Sequence, residues 1–279
     1  LIWGGSAGVI FSFLVEMAIP ASEFVTMAIV APLAEELAKA SVFILVATGA
    51  RKLELTSLTD HIFYAGICAL GFAFVENLGY FALSSSAGEF VVMALVRTGF
   101  GVFGHPLYTT ATAVGIWAWR TKGGLWKAAV GYIAACLLHG LWNGGPTLLA
   151  GSLGLDDTGQ LAAMILVYIV LFVPVFIGTI IMTTRNRRNE YEAVRSQLPL
   201  MVEAGLVTPA EADMIADPRK RRAILADSGK YGRVAKRNQK RTITAATEAA
   251  LAQHRIAAGE GGPELIKRRD QLSEWLRSR

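Results

Sequence analysis

Long apolar runs separated by short polar breaks fill the first two thirds of the chain, and the pattern stops near residue 184. Six runs, roughly 1–15, 24–48, 62–84, 90–119, 126–149 and 161–183, read as membrane-crossing helices, which need about 20 mostly apolar residues. The first is short because the chain opens at Leu1 rather than Met; the natural N-terminus is expected upstream. With no basic leader before it, this run is read as a span and not as a cleavable signal peptide. Beyond residue 184 the sequence turns polar and basic. The expected fold is all-α: a polytopic transmembrane helix bundle of about six spans (1–184), followed by a basic helical cytoplasmic tail (185–279).

Four of the six runs carry polar groups well inside them. The second holds Glu35, Glu36 and Lys39; the third Phe72, Glu76 and Asn77; the fourth Arg97 and His105; the fifth His139 and Asn143. An ionisable group at the centre of a span costs roughly 2.5–3.5 kcal/mol on insertion scales. Left isolated, Glu35, Glu36, Lys39, Glu76 and Arg97 would together cost about 12–17 kcal/mol. They must therefore meet each other, water or a metal, which points to one intramembrane site built from four helices. The first and sixth runs have no comparable group and read as packing or lipid-facing helices.

Helical spacing refines this picture. Lys39 lies three residues after Glu36 and four after Glu35, so it reaches either carboxylate. The two glutamates point about 100° apart, leaving one for the lysine and one for the site. Pro32 loosens the helix a turn earlier. His139 and Asn143 share a helix face. Three glutamates against Lys39 and Arg97 leave one excess negative charge, which a shared proton or a protonated histidine would cancel; a divalent cation such as zinc would overcompensate by one unit but could be held by Glu and His ligands. A structural ion-pair network is the plainer reading of these residues, and a proton-coupled transporter or ion channel is the alternative function. No inverted repeat supports a transporter.

Loop charge sets the orientation. Arg51 and Lys52, then Arg120, Lys122 and Lys127, then Arg185, Arg187 and Arg188 alternate with loops that have no basic residue. The positive-inside rule places the basic loops and the tail in the cytoplasm; the expected location is the plasma membrane. Cys68 and Cys136 both lie inside spans, so neither a disulfide framework nor a metal-type cysteine pair is expected. There is no HExxH motif and no aspartate inside a span. GGSAG at Gly4–Gly8 matches GxSxG but lacks the strand–turn–helix setting that gives that motif its meaning.

The order EExxK, FxxxEN, a histidine on the next span and HxxxN on the following one resembles the PrsW family of intramembrane proteases. In outline it is similar to the group that holds the CAAX-prenyl endopeptidases and bacteriocin-immunity-type membrane proteins. That group shows EExxxR, FxxxH and HxxxN. Here Lys39 stands one residue short of the arginine and Glu76 stands where a histidine would be; both departures are the PrsW form. The resemblance covers about residues 24–149 and implies hydrolysis of a peptide bond in a membrane-anchored protein, such as an anti-sigma factor. It implies Glu35 as the base that activates water and Glu76 as a water-positioning or metal-binding group. His139 and Asn143 would stabilise the oxyanion, and His105 would be a second water or metal partner. Glu36, Lys39, Phe72, Asn77 and Arg97 would shape the site. The candidate metal ligands are Glu35, Glu76, His105 and His139.

The tail carries 20 Lys or Arg against 12 Asp or Glu. Its clusters at 219–222, 233–241 and 267–269 are suited to anionic lipid headgroups. Nucleic acid is not the expected partner, because no recognised binding module is present. TPAE at Thr208–Glu211 reads as a capped helix start.

Overall fold

The computed structural model describes residues 2–49, 55, 57–101, 103–260 and 262–279. Arg51 and Lys52, which contribute to the orientation argument, lie outside the described residues. Among the described residues the chain is helical throughout, with no strand. It divides into two compact units, Leu1–Thr183 and Thr184–Arg279.

The first unit begins with a π-helical turn, Gly4–Gly8, that runs into α1 (Val9–Ala18). The short α2 (Glu23–Val25), a π turn (Thr26–Val30) and α3 (Ala31–Thr48) form one continuous stretch. Then come α4 (Leu58–Ala82), α5 (Ala87–Leu95), a π turn (Val96–Phe100), α6 (Gly104–Lys122) and α7 (Trp126–Leu153). α8 (Asp157–Val167) and a π turn (Tyr168–Phe172) lead into α9 (Val173–Glu203). Ser57 and Asp60 form a capping box at the start of α4, and Gly154, in the left-handed region at φ 63°, closes α7.

Two of the π turns have a common cause. Pro32 follows Thr26–Val30 and Pro174 follows Tyr168–Phe172. A proline has no N–H for the carbonyl four residues back, so the helix widens just before it. The fourth expected span departs from a plain helix. It bends at Gly101 and restarts at Gly104, with Pro106 in the first turn of α6. A proline is tolerated there because first-turn N–H groups have no intrahelical acceptor.

By length and apolar composition, three stretches could cross a membrane: Leu58–Ala82, Ala87–Lys122 and Thr158–Glu203; Gly4–Ala18 is apolar but shorter. The stretch holding α3 falls short of that measure because Glu35, Glu36 and Lys39 put three charges within little more than one turn. α7 is diluted by glycine and by His139 and Asn143.

Close approach of α7 is built on small residues. A Cβ on Gly140 would come within 2.4 Å of the Ala28 carbonyl oxygen, and one on Gly144 within 2.8 Å of the Ala28 methyl. α6 and α7 meet in the same way at Gly115 and Gly131. Gly66 and Gly99, by contrast, have no neighbour among the described residues within reach of a Cβ. Cys68 and Cys136 are free and buried.

This unit is inverted relative to a water-soluble fold. Glu35, Glu36, Lys39, His105, Thr109 and His139 are buried, while Ile10, Phe13, Leu14, Leu137, Leu148, Ile169 and Val170 are exposed. Lipid accepts the apolar outside, and buried polar groups satisfy one another inside. The chain is an all-α membrane protein.

The second unit has its own core. Val194, Leu198 and Met201 of α9 pack with Met214 and Ile215 of α10 (Pro209–Ile215), Ile243, Ala246 and Ala250 of α12 (Arg233–Ala257), and Leu272 and Leu276 of α13 (Pro263–Arg277). Between α10 and α12 lies α11 (Pro218–Lys230). Thr208 and Glu211 form the expected capping box.

Arg279 holds Glu211 through both oxygens and donates to the Leu206 carbonyl oxygen at 3.1 Å. The guanidinium lowers the Glu211 carboxyl from 4.5 to about 2. A depressed carboxyl stabilises the fold above its unfolded value, and that stabilisation fades as pH falls towards the folded one. The thermal transition of the tail in wild type should therefore exceed that of Arg279→Ala at pH 7, and the gap should close between about pH 4.5 and 2. Circular dichroism on the two proteins checks this; a gap that is constant with pH would reject it.

Candidate active site

The polar groups of α3, α4, α6 and α7 meet in the interior of the first unit. On α3, Glu35 and Glu36 both face Lys39. Its ammonium donates to Glu36 Oε1 at 2.8 Å and to Glu35 Oε2 at 3.3 Å. It also donates to His105 Nδ1 at 2.9 Å and sits 4.2 Å from the centre of the Phe72 ring. Glu36 and Lys39 are completely buried.

Each imidazole has a glutamate behind it. His105 Nε2 donates to Glu76 Oε2 at 2.9 Å, which leaves Nδ1 as the acceptor that Lys39 uses. His139 Nδ1 lies 3.3 Å from Glu36 Oε1, though off the axis of a hydrogen bond, and Nε2 points to the other side. The two inward nitrogens, His105 Nδ1 and His139 Nε2, lie 3.7 and 3.8 Å from the same atom, Glu35 Oε2.

Arg97 completes the surround. Its guanidinium donates to Glu76 Oε2 and to Asn77 Oδ1, and it stacks 3.8 Å above the Tyr80 ring. The bend at Gly101 lets Arg97 and His105, eight residues apart, reach one carboxylate oxygen. Glu76 therefore faces Arg97 and the outer nitrogen of His105. It is absent from the one cluster of potential metal donors among the described residues, which is Glu35, His105 and His139.

Asn143 is one turn beyond His139 but points elsewhere. Its amide donates to the Met27 carbonyl oxygen at 2.9 Å, within the π turn Thr26–Val30. That bond fastens α7 to the stretch that carries Glu35. Two residues escaped the sequence reading. Thr109 donates to Glu36 Oε2 at 2.9 Å, and Tyr108 stacks on His139 with ring centres 4.7 Å apart. Thr109 follows His105 by four positions, so helical spacing would have found it. Tyr108 is indistinguishable from a core aromatic in sequence, and its buried hydroxyl has no hydrogen-bond partner among the described residues.

The donor set fits a divalent metal. One carboxylate and two imidazoles are the ligand types of catalytic zinc sites. Their facing atoms lie within 4.8 Å of one another and all three residues are buried. The Glu76 carboxylate bonded to the outer nitrogen of His105 is the arrangement that orients a metal-binding imidazole and sets its tautomer.

Comparison with known families agrees with this chemistry. Residues 1–179 match the family described as PrsW family intramembrane metalloprotease. No curated protein and no solved structure matches the chain. The matched residues span most of α1 to α9 and include every group of the cluster. The buried charges thus belong to a peptidase and not to a transporter, and the chain is a member of the PrsW family of intramembrane metalloproteases.

Proposed function

We propose that Glu35 Oε2, His105 Nδ1 and His139 Nε2 hold a divalent ion, with zinc as the expected metal, and that Glu35 is the proton acceptor of the reaction. The observation that carries this reading is the convergence of those three residues, with Glu76 bonded to the outer nitrogen of His105. A bound ion of this kind lowers the pKa of water and polarises a carbonyl oxygen. The contacts that Glu35 makes with Lys39 and with both imidazoles run through Oε2, which leaves Oε1 for the proton. Water adds to the scissile carbonyl carbon while Glu35 takes its proton. When the C–N bond breaks, that proton passes from Glu35 to the departing nitrogen. Glu76, bonded to His105 Nε2, keeps that ring in the tautomer that turns its lone pair inward, and Glu36 places a negative charge beside His139.

The substrate is a membrane-anchored protein, of the anti-sigma-factor kind, cut within or near the bilayer. The chain crosses the plasma membrane about six times, with the segment after Arg185 in the cytoplasm. Arg120, Lys122, Lys127, Arg185, Arg187 and Arg188 support that orientation. The exposed basic faces of α11 and α12 lie against anionic headgroups.

Purified full chain, reconstituted with a single-span protein substrate, should cleave it. Cleavage should stop when a chelator strips the ion and return when zinc is added back. Undiminished cleavage after verified metal removal would exclude the metal assignment and leave Glu35 as a metal-free base.

A further inference from the structure

We infer that Lys39 and the metal compete for a single lone pair, that of His105 Nδ1. The inference rests on the metal assignment above and concerns how this chain governs its own metal. A neutral imidazole has one N–H and one lone pair. The His105 N–H is at Nε2, directed to Glu76 at 2.9 Å, so the lone pair at Nδ1 is the only one the ring has to give. Lys39 takes it at 2.9 Å, and a lysine ammonium can only donate. The same ammonium holds Glu35 Oε2 at 3.3 Å. Two of the three candidate ligand atoms are therefore engaged by a cation that belongs to the protein.

Glu36 provides the place to which Lys39 withdraws. Its shortest contact with the lysine, 2.8 Å, is also the one that involves none of the three ligand atoms. Glu36 is fixed by Thr109 at 2.9 Å and is completely buried, so it remains in place when Nζ leaves His105 and Glu35. The Phe72 ring beneath the ammonium offers a second cation-accepting surface during the move. This gives the paired glutamates of EExxK separate tasks. Glu35 is shared by lysine and metal in turn, whereas Glu36 keeps the lysine throughout. Occupancy by metal then depends on displacing an internal cation, which lowers affinity and raises the free-metal concentration at which the enzyme loads.

The test is zinc affinity of the full-length protein in detergent, measured by competition with a chromophoric chelator and independent of cleavage. Lys39→Met keeps the length of the side chain and removes the charge. It should bind zinc about tenfold tighter than wild type or more, the ratio expected from loss of one charge-assisted hydrogen bond to the ligand set. Because that change strands Glu36 in the interior, the double variant Lys39→Met/Glu36→Gln is measured beside it and should show the same gain. Zinc affinity equal to or weaker than wild type in the folded variants, with binding still abolished by His105→Ala, would overturn the competition while leaving the metal site standing. Absence of zinc binding in wild type and both variants would remove the metal assignment itself, and this inference with it.

Discussion

Glu35→Gln should slow cleavage by about 10²–10⁴-fold, the range for loss of a general base or of transition-state stabilisation, and His139→Ala should do the same. The reasons differ. Glutamine cannot take a proton from water, although its carbonyl oxygen still accepts the Lys39 bond. Alanine at 139 removes Nε2, one of the three converging atoms, and leaves space beside the Tyr108 ring. Glu35→Gln should retain part of its metal, since two imidazoles remain, whereas His139→Ala should lose most of it. Both changes reduce the polarity buried in the membrane unit, so neither is expected to block insertion. Single-turnover cleavage, bound zinc and elution volume in detergent separate the cases. A folded Glu35→Gln protein that cleaves at the wild-type rate would show that the proton acceptor lies elsewhere.

Glu76→Ala should weaken metal binding and activity by about 10–100-fold, the range for loss of a partner that orients a metal-binding histidine. His105→Ala should be more severe. Glu76 reaches the site through His105 Nε2, so its removal frees the ring to rotate or to exchange its proton between nitrogens. Arg97→Ala acts on the same carboxylate and should produce a smaller version of the same loss. Residues that work through one intermediary are not additive. The double variant Glu76→Ala/Arg97→Ala should therefore be no worse than Glu76→Ala alone. Zinc affinity across the four proteins tests this. If Glu76→Ala binds zinc as wild type does and loses only turnover, Glu76 handles substrate or water directly and the orienting role is wrong.

The sequence by itself carried the fold class and the membership of the cluster. Apolar runs of bilayer length admit only helices, since lipid supplies no partner for unpaired backbone groups. Charged residues set inside those runs cannot face lipid, so Glu35, Lys39, Glu76, Arg97, His105 and His139 had to meet. These are demands of solvent and of one-dimensional spacing, and a string of residues expresses them fully. Thr109 was legible on the same terms, four residues after His105.

Only the tertiary structure decided direction. Which nitrogen of His105 turns inward depends on Glu76 lying behind the ring, and Glu76 comes from another helix. Sequence could not separate Glu76 as ligand from Glu76 as orienting group, because both roles ask for a carboxylate at that depth. Asn143 shares a face with His139 by spacing. It nevertheless donates to Met27, because Gly140 and Gly144 bring α7 against the π turn before Pro32. The bend at Gly101, which lets Arg97 and His105 reach one oxygen, and the engagement of His105 by Lys39, 66 positions away, are likewise products of packing. Burial and helix periodicity follow from each residue and its near neighbours. Hydrogen-bond direction follows from which groups arrive from distant parts of the chain, and that is settled only when the helices pack.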